Sequence, residues 1–377
     1  MDGKLAVIGL GSIGSMALWQ ASRLTDAVTG FEAHSPAHGR SAVGGDTRLF
    51  RMIYLGSPSL YPILERSRDL WAELEAETGQ DILTRCGGLS IGTANGFYIN
   101  RLLQTAHLNG AAHEILSRED LTERYPQHKL RADDVAVYDP NAGVLRTDRA
   151  VTAAIGAAEA NGATVHINTP IDSISETDDG VVITSGNRSW SFENVIVASG
   201  GWSQRLMPDY LKAHTETRRV FLSWFVARDA AHFAPEKFPI FSRMYEDRAI
   251  YGAPTVDGVT VKATLDGRGT VTGDPDVFPR ELSEAEIAET LETVSDFIPG
   301  LIPTIVRSDA FPDLYTKDRN PLLGWISKSS RIYFATGFSG GGFKNATGYG
   351  HIAAHEALGK QPIEGLDFVR PERFRTA

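Results

Sequence analysis

A single lysine interrupts an apolar and β-branched run, GVTVKATLD, over residues 258–266. The run predicts the second strand of a hairpin whose turn contains Asp257 and Gly258. Alternate residues of a strand point to one face, so Lys262, Thr264 and Asp266 would share one side. A cation there could stabilise a developing anion, and a carboxylate could bind an ammonium or hydroxyl group. The alternative is a polar strand face that simply lies in solvent.

A second pattern, VIGLGSIGSMALWQASR, places Gly9, Gly11 and Gly14 between a strand and a helix. These glycines permit a tight turn, approach of a pyrophosphate and close packing of helix on strand. A second predicted strand, AVTGFE, ends at Glu32, whose carboxylate could accept hydrogen bonds from a ribose diol. The order of these elements predicts a dinucleotide site, and the acid disfavours the 2'-phosphate of NADP.

The choice between FAD and NAD depends on three further segments. The stretch AHSPAHGRSAVGGDTRLFR, from 33 to 51, is a loop of small residues and arginines rather than a direct continuation into a helix. A buried strand, NVIVASGGWS, ends in Gly200 and Gly201, and IYFATGFSGGGFKNATGYG is a strand followed by a glycine-rich loop and a helix. Three segments ending in glycines suit a cofactor that lies extended across the sheet, with its far ring at the last loop.

The motifs GLGSIG, GGDTRLFR, YGAPTVDGVTVK, LYTKDRNPLLG and GFSGGGFK together give a resemblance over essentially the whole chain. The chain resembles the flavin-dependent amine oxidases that include monomeric sarcosine oxidase, N-methyltryptophan oxidase and the fructosyl amino acid (Amadori) oxidases, within the D-amino-acid oxidase superfamily. The resemblance implies one FAD per chain. It also implies oxidation of an amine to an imine, which water hydrolyses, while oxygen becomes hydrogen peroxide.

Carried over by position, the resemblance implies roles for particular side chains. Lys262 resembles the lysine that assists the reaction of reduced flavin with oxygen, and Arg48 would lie by the same ring. Lys344 and Arg51 resemble the pair that holds the substrate carboxylate. The residues that would wall the substrate cavity are Tyr251 and Tyr315. The positions expected to contact FAD are Gly9, Gly11, Ser12, Ile13, Gly14, Glu32, Ala33, Arg40, Ser41, Thr47, Arg48, Ile171, Gly200, Trp202, Asp313, Gly340, Gly341, Gly342 and Lys344.

The sequence departs from the family at two places. Many relatives bind FAD covalently through a cysteine two positions before the tyrosine of YT, where this chain has Asp313. The one cysteine, Cys86, lies in a different segment, so we expect FAD to be bound non-covalently. The other departure is Asp266. The residue at this position resembles a histidine in sarcosine oxidase-like members, whereas Amadori oxidases tend to carry an acid there.

Asp266 therefore favours a fructosyl amino acid as substrate, because an acid can bind sugar hydroxyls and a protonated secondary amine. The alternative within the same chemistry is sarcosine, N-methyltryptophan or another N-alkyl amino acid. An alternative of another class is a flavin-binding protein without turnover, which the presence of Lys262, Lys344 and Arg51 disfavours.

Composition limits the other possibilities. A net charge of -10 argues against nucleic acid or an anionic membrane as the main partner, and no apolar run of about 18 residues predicts a membrane span. A single cysteine fits a reducing cytoplasm. His351 and His355 have an i, i+4 spacing, but the glutamate of a zinc-protease motif is missing, so we predict no metal site. We expect a monomer whose partners are a small-molecule amine and oxygen.

The chain length and the alternation of strand-like and helix-like runs predict an α/β fold with two domains. The first is a Rossmann-like FAD-binding domain of the glutathione-reductase type, made of residues 1–82, 143–214 and 306–377. The second is an α+β substrate domain built on an antiparallel sheet, made of residues 83–142 and 215–305. The strand and turn signals between 215 and 270 suggest that this sheet is inserted between parts of the nucleotide domain.

Overall fold

The computed structural model describes residues 1–267, 269–360 and 363–375. The helices of these residues are α1 (Ser12–Ser22), α2 (Tyr61–Thr78), α3 (Phe97–Asn109), α4 (Arg118–Arg124), α5 (Thr147–Ala160), α6 (Asp209–Lys212), α7 (Glu284–Phe297) and α8 (Ala346–Ala357). The strands of the first half are β1 (Gly3–Ile8), β2 (Val28–Phe31), β3 (Thr47–Phe50), β4 (Leu83–Arg85), β5 (Gly88–Thr93), β6 (Glu114–Leu116), β7 (Asp134–Asp139), β8 (Gly143–Arg146), β9 (Thr164–His166) and β10 (Ser173–Glu176). The remaining strands are β11 (Val181–Ser185), β12 (Arg188–Val197), β13 (Thr215–Ala227), β14 (Ile240–Met244), β15 (Ala249–Ala253), β16 (Thr260–Leu265), β17 (Thr270–Val271), β18 (Leu301–Thr316), β19 (Leu322–Trp325) and β20 (Ile332–Thr336).

The first sheet has a parallel centre in the order β20, β12, β1, β2 and β9. Antiparallel strands β10 and β11 extend it beside the first part of β12, and β19 pairs with β20. The central strands are continuous buried apolar runs, as expected where both faces of a parallel sheet are covered. Helices α1, α5 and α8 pack together beside this sheet. The predicted α/β nucleotide-binding fold is confirmed.

Two of the longer helices are α2 and α7. α2 has a proline in its first turn and ends at Gly79, which adopts a left-handed conformation with φ of 66°. α7 begins at a capping box in which Ser283 and Glu286 each bind the other's backbone N–H. Local sequence signals therefore define both helices.

The second sheet runs in the order β17, β13, β16, β15, β14, β5, β7 and β6, with β18 also paired to β13. It is mainly antiparallel, apart from the parallel pair of β14 and β5. The predicted hairpin is β15 and β16, and its turn is fixed by the Asp257 carboxylate, which accepts hydrogen bonds from the N–H groups of Val259 and Thr260. One face of the sheet packs against α7 in an aromatic-rich core.

A third, short sheet consists of β3, β8 and β4. Along the chain, these strands come between strands of the first sheet and strands of the second. β18 pairs with β13 along its whole length, from Leu301 to Thr316, and so runs across the domain boundary expected near residue 306. Among the described residues, no helix is long and apolar enough to cross a membrane.

Candidate active site

The turn after β1 brings three backbone segments together. Gly9 has φ of 85°, and a Cβ at this position would lie 2.7 Å from the Cα of Ser199. A Cβ on Gly14 would lie 1.8 Å from the carbonyl oxygen of Gly9, so this glycine allows α1 to pack on the turn. A Cβ on Gly11 would meet only a methyl group of Val43, at 3.8 Å. Packing within the protein therefore explains why positions 9 and 14 are glycine. It does not explain why position 11 is glycine.

The first turn of α1 and the end of β2 supply groups suited to a dinucleotide. α1 has no side-chain cap and no acidic residue in its first turn, so its free N–H groups are available to an anion. The buried Glu32 carboxylate accepts hydrogen bonds from the N–H groups of Leu10 and His34, both at 2.9 Å. Burial raises the pKa of Glu32, but these bonds and one from His38 outweigh it, and the pKa is lowered overall.

A cavity of about 630 Å³ begins at this turn. The predicted cofactor residues that line it are Gly9, Gly11, Ser12, Glu32, Ala33, Arg40, Ser41, Ile171, Gly200 and Trp202. Ile13 lies instead in the hydrophobic core. The lining residues that the sequence did not indicate include His34, His38, Thr169, Arg205, Asp276 and Arg280. Trp202 donates to Asp276 at 2.9 Å, so the segment before α7 also covers the cavity.

Four basic residues, Arg48, Arg51, Lys262 and Lys344, are here called the cationic cluster. Arg48 acts on Lys262, Arg51 acts on Lys344, and both arginines act on Tyr251. Lys262 is only 2% exposed. Its Nζ donates to the carbonyl oxygens of Gly45 and Thr47, at 2.9 and 2.6 Å. Burial, and then the charge of Arg48, lowers the pKa of Lys262 well below its usual value. The solvent-facing alternative for Lys262 is therefore wrong.

The strand register explains how Lys262 reaches this position. Lys262 lies opposite Trp224 on β13 and Ala253 on β15, and Thr264 lies opposite Tyr251. The alternate residues of β16 enter the core on the other face. Because both faces are covered, Lys262 and Thr264 are buried as well.

Arg48 is fixed by backbone carbonyl groups of its own loop. Its guanidinium donates to Ala42 at 2.6 Å, Gly44 at 2.8 Å and Thr47 at 2.7 Å. Burial lowers the pKa of Arg48. The nearby Asp313 carboxylate offsets part of this lowering of the Arg48 pKa. Burial raises the pKa of Asp313 itself to about 6.

Asp313 joins this region to the glycine-rich loop after β20. Its Oδ2 accepts a hydrogen bond from the N–H of Gly340 at 2.9 Å. A Cβ at Gly340 would lie 3.0 Å from the hydroxyl of Tyr315, so the loop approaches β18 closely. Gly341 follows, and its carbonyl accepts from Nζ of Lys344 at 3.2 Å. The loop and the end of β18 thus meet at the cationic cluster.

Lys344 is held between the loop, α2 and an aromatic ring. The indole of Trp71 donates to its carbonyl at 3.1 Å, and its Nζ lies 4.5 Å from the ring centroid of Tyr54. Burial, and then the nearby charge of Arg51, lowers the pKa of Lys344 to about 7. The Nε of Arg51 is buried and has no hydrogen-bond partner among the described residues. The sequence did not indicate Tyr54.

Asp266 follows the last residue of β16 and is partly buried. Its negative charge helps to raise the pKa of Tyr251 and Tyr315, and it offsets part of the lowering of the Lys344 pKa. For both tyrosines burial is the larger cause. Asp266 thus lies on the same side as the residues predicted to surround the substrate.

Two other predicted features lie elsewhere. The Cys86 thiol is 3.6 Å from the Gly87 carbonyl, and burial raises its pKa to about 11. The rings of His351 and His355 are 3.9 Å apart, and burial lowers the pKa of His351 to about 4. Within the described residues, no group of three or more potential ligands could hold a metal ion.

Comparison with known proteins identifies the class of this site. Residues 4–356 match the family model described as FAD dependent oxidoreductase. The chain is 29% identical to monomeric sarcosine oxidase of Streptomyces avermitilis, over 98% of this chain and 97% of that protein. It is 28% identical to N-methyl-L-tryptophan oxidase of Yersinia pestis, over the full length of both.

Solved structures confirm the fold at lower identity. The amino acid oxidase NikD superposes with a TM-score of 0.85 and 18% identity, over 98% of this chain and 97% of that one. Amadoriase I of Aspergillus fumigatus superposes with a TM-score of 0.79 and 16% identity, over 98% and 90%.

The chain therefore belongs to the FAD-dependent oxidoreductase family. It is an FAD-dependent enzyme, as predicted, and the residues present fit this cofactor. The uncapped start of α1, the open position beside Gly11 and the buried carboxylate of Glu32 are the groups that a pyrophosphate and a ribose require.

Proposed function

We propose that this enzyme oxidises the secondary amine of an N-alkyl amino acid, with N-methyl amino acids as its first substrate class and oxygen as electron acceptor. The curated relatives reported above, aligned over nearly their whole length, carry the names of a sarcosine oxidase and an N-methyl-L-tryptophan oxidase. They support this alternative better than the fructosyl amino acid favoured by Asp266 alone, because amadoriase resembles the chain only in fold.

The observation that carries the proposal is the pairing of Arg51 with Lys344. Lys344 is buried and Arg51 is partly buried, and the charge of Arg51 contributes to lowering the pKa of Lys344. Among the described residues, neither makes an ion pair with a protein carboxylate, and Nε of Arg51 lacks any partner. A buried cation that makes no close ion pair is costly, so a bound carboxylate would stabilise both groups. An amino acid provides that carboxylate close to its amine.

The remaining residues have roles that follow from their positions. Bound FAD would accept the two electrons lost when the C–H and N–H bonds of the substrate amine break and the C–N bond becomes C=N. Glu32 and the start of α1 would hold its ribose and pyrophosphate, and the loop of Gly340 to Gly342 would hold its ring system. Lys262 would keep a positive charge or a proton donor where oxygen is reduced. Water would hydrolyse the imine product, releasing formaldehyde from an N-methyl substrate.

We propose further that FAD is bound non-covalently. Asp313 stands where relatives have the attaching cysteine, and its Oδ2 is bonded to Gly340. Cys86 packs beside Ala142 and Ile240, in a separate apolar cluster. Acid precipitation should release the yellow flavin to the filtrate. Flavin that stays with the precipitated chain would contradict this.

Asp266 supports a second candidate, a fructosyl amino acid, because its carboxylate faces Lys344, Tyr251 and Tyr315. The test is anaerobic reduction of the bound flavin by sarcosine, N-methyltryptophan, fructosyl-glycine and fructosyl-valine. Reduction by the N-methyl compounds at the lower concentration, with formaldehyde released in turnover, supports the first proposal. A preference for fructosyl compounds, with release of glucosone, would overturn it.

Comparison of variants then isolates Asp266. If Asp266 binds the sugar, Asp266→Ala should lower kcat/KM for fructosyl-glycine by about 10- to 1000-fold, and affect sarcosine much less. Asp247→Ala is the matched control, since Asp247 is an exposed acid paired with Arg131. Equal losses on both substrates would return Asp266 to a structural role.

The domain division given above, a monomeric state and a cytoplasmic location remain predictions. In this division the second sheet, which includes β13 to β17, would form the substrate domain and the first sheet the FAD-binding domain. Size-exclusion chromatography with light scattering would test the oligomeric state.

A further inference from the structure

An ion pair on the surface lies just outside Lys262. Arg307 on β18 donates to both carboxylate oxygens of Asp46, which lies in the loop before β3. The two residues are 261 positions apart in the chain, and their side chains remain 46% and 43% exposed. An exposed pair of this kind usually contributes little to stability. Its placement therefore calls for another explanation.

The first link from this pair to Lys262 runs through the backbone. Asp46 has φ of 61° and lies between Gly45 and Thr47, whose carbonyl groups are the two acceptors for Nζ of Lys262. A left-handed conformation at a non-glycine residue is strained unless its surroundings hold it. Here the Asp46 carbonyl also accepts from the N–H of Thr147 at 2.9 Å. Holding Asp46 thus holds both acceptors of the lysine.

The second link runs across the sheet. Trp224 on β13 lies opposite Arg307 on one side and opposite Lys262 on the other. Residues directly opposite in antiparallel strands share one face, so the three side chains form a row. The Cζ of Arg307 is 4.4 Å from the ring centroid of Trp224, and the Nζ of Lys262 is 5.0 Å from it. The indole separates a surface cation from a buried one.

We propose that Asp46 and Arg307 are positioning residues for Lys262, fixing its two carbonyl acceptors and setting its charge through Trp224 and the loop. Their relevance to oxygen rests on the proposed function, whereas their effect on Lys262 itself does not. The charged groups that act on Lys262 are Arg48 and Arg307, which lower its pKa, and Asp46, which raises it. Removing each partner of the pair should therefore have an opposite effect.

The test uses the FAD-loaded protein with ε-¹³C-labelled lysine, followed by NMR as a function of pH. The Lys262 signal is assigned by its loss in Lys262→Met. Asp46→Asn should move the titration midpoint of Lys262 down, and Arg307→Gln should move it up. Arg307→Lys, which keeps the charge, should restore a midpoint close to that of the wild type. Arg124→Gln is the matched control, because Arg124 forms an exposed pair with Glu114 elsewhere.

Midpoints that do not move, or that move in the same direction in both variants, overturn the proposal. Stopped-flow measurements then connect it to the reaction. Loss of the correct carbonyl positions in Asp46→Asn should slow reoxidation by oxygen about 10- to 100-fold while reduction by the amine is retained. Opposite midpoint shifts with normal reoxidation would uphold the positioning of Lys262 and contradict instead its role in the proposed function.

Discussion

The nucleotide cavity and the cationic cluster are built on opposite principles. The cavity is shaped by backbone, through Gly9, Gly11 and the free N–H groups of α1, and contains one buried acid whose hydrogen bonds are satisfied. The cluster consists of long basic side chains in the interior, and burial lowers the pKa of Lys262 and Lys344. Buried groups with shifted pKa values concentrate where chemistry occurs. From this contrast we propose that the cavity binds the cofactor and that the cluster takes part in the reaction.

The largest expected effect is on the recognition of the substrate carboxylate by Arg51 and Lys344. Arg51→Ala and Lys344→Ala should each weaken amino acid substrates by roughly 2 to 5 kcal/mol, because the remaining cation and the carboxylate are left poorly paired in a desolvated site. The measurement is kcat/KM for an N-methyl amino acid and for its amide. The amide, which has no carboxylate, should lose much less in both variants. Equal losses on acid and amide would show that the cations only maintain the fold or hold FAD.

A smaller effect tests the cavity. Gly11→Ala adds a methyl group where the protein itself leaves space, but where a pyrophosphate is expected. FAD affinity of the flavin-free protein should fall by about 1 to 3 kcal/mol, with little change in its melting temperature. Gly156→Ala is the matched control, because a Cβ at Gly156 meets nothing within 4 Å. Unchanged FAD affinity in Gly11→Ala would contradict the binding of a pyrophosphate beside Gly11.

The smallest expected effect is the uptake of a proton when a carboxylate ligand binds. The pKa of Lys344 is lowered to about 7 from its usual 10.5, so at pH 8 the free protein carries mainly the neutral amine. A bound carboxylate favours the ammonium form and raises that pKa, so binding at pH 8 should take up as much as about one proton, and binding at pH 6 almost none. Calorimetry with methoxyacetate in two buffers of different ionisation enthalpy measures this. The same uptake in Lys344→Met would assign the proton to another group.

These two regions also differ in how far the sequence predicts them. Gly9, Gly11, Gly14 and Glu32 lie within 24 residues, in the order that a nucleotide-binding unit requires, and local rules were sufficient. The cationic cluster joins residues from 48 to 344, and only the family resemblance brought them together. Neither the local motifs nor the family resemblance predicts contacts that depend on packing alone, such as that of Tyr54 with Lys344.

The substrate illustrates the limit of a single position. Asp266 alone favours a fructosyl amino acid, whereas whole-chain similarity supports an N-methyl amino acid. Asp266 lies near Lys344, Tyr251 and Tyr315, but a carboxylate can bind an ammonium as well as a hydroxyl group. Which of these it binds depends on substrate atoms that the sequence does not encode.

The most direct test of the contrast between a binding cavity and a reactive cluster is a stopped-flow study of Lys262→Met. Loss of one preorganised charge at the site of oxygen reduction should slow reoxidation of the reduced flavin by about 100-fold or more, or roughly 3 kcal/mol. FAD affinity and anaerobic reduction by the amine should stay close to those of the wild type. Normal reoxidation, or a loss of FAD binding equal to the loss of oxygen reactivity, would contradict the division of roles proposed here.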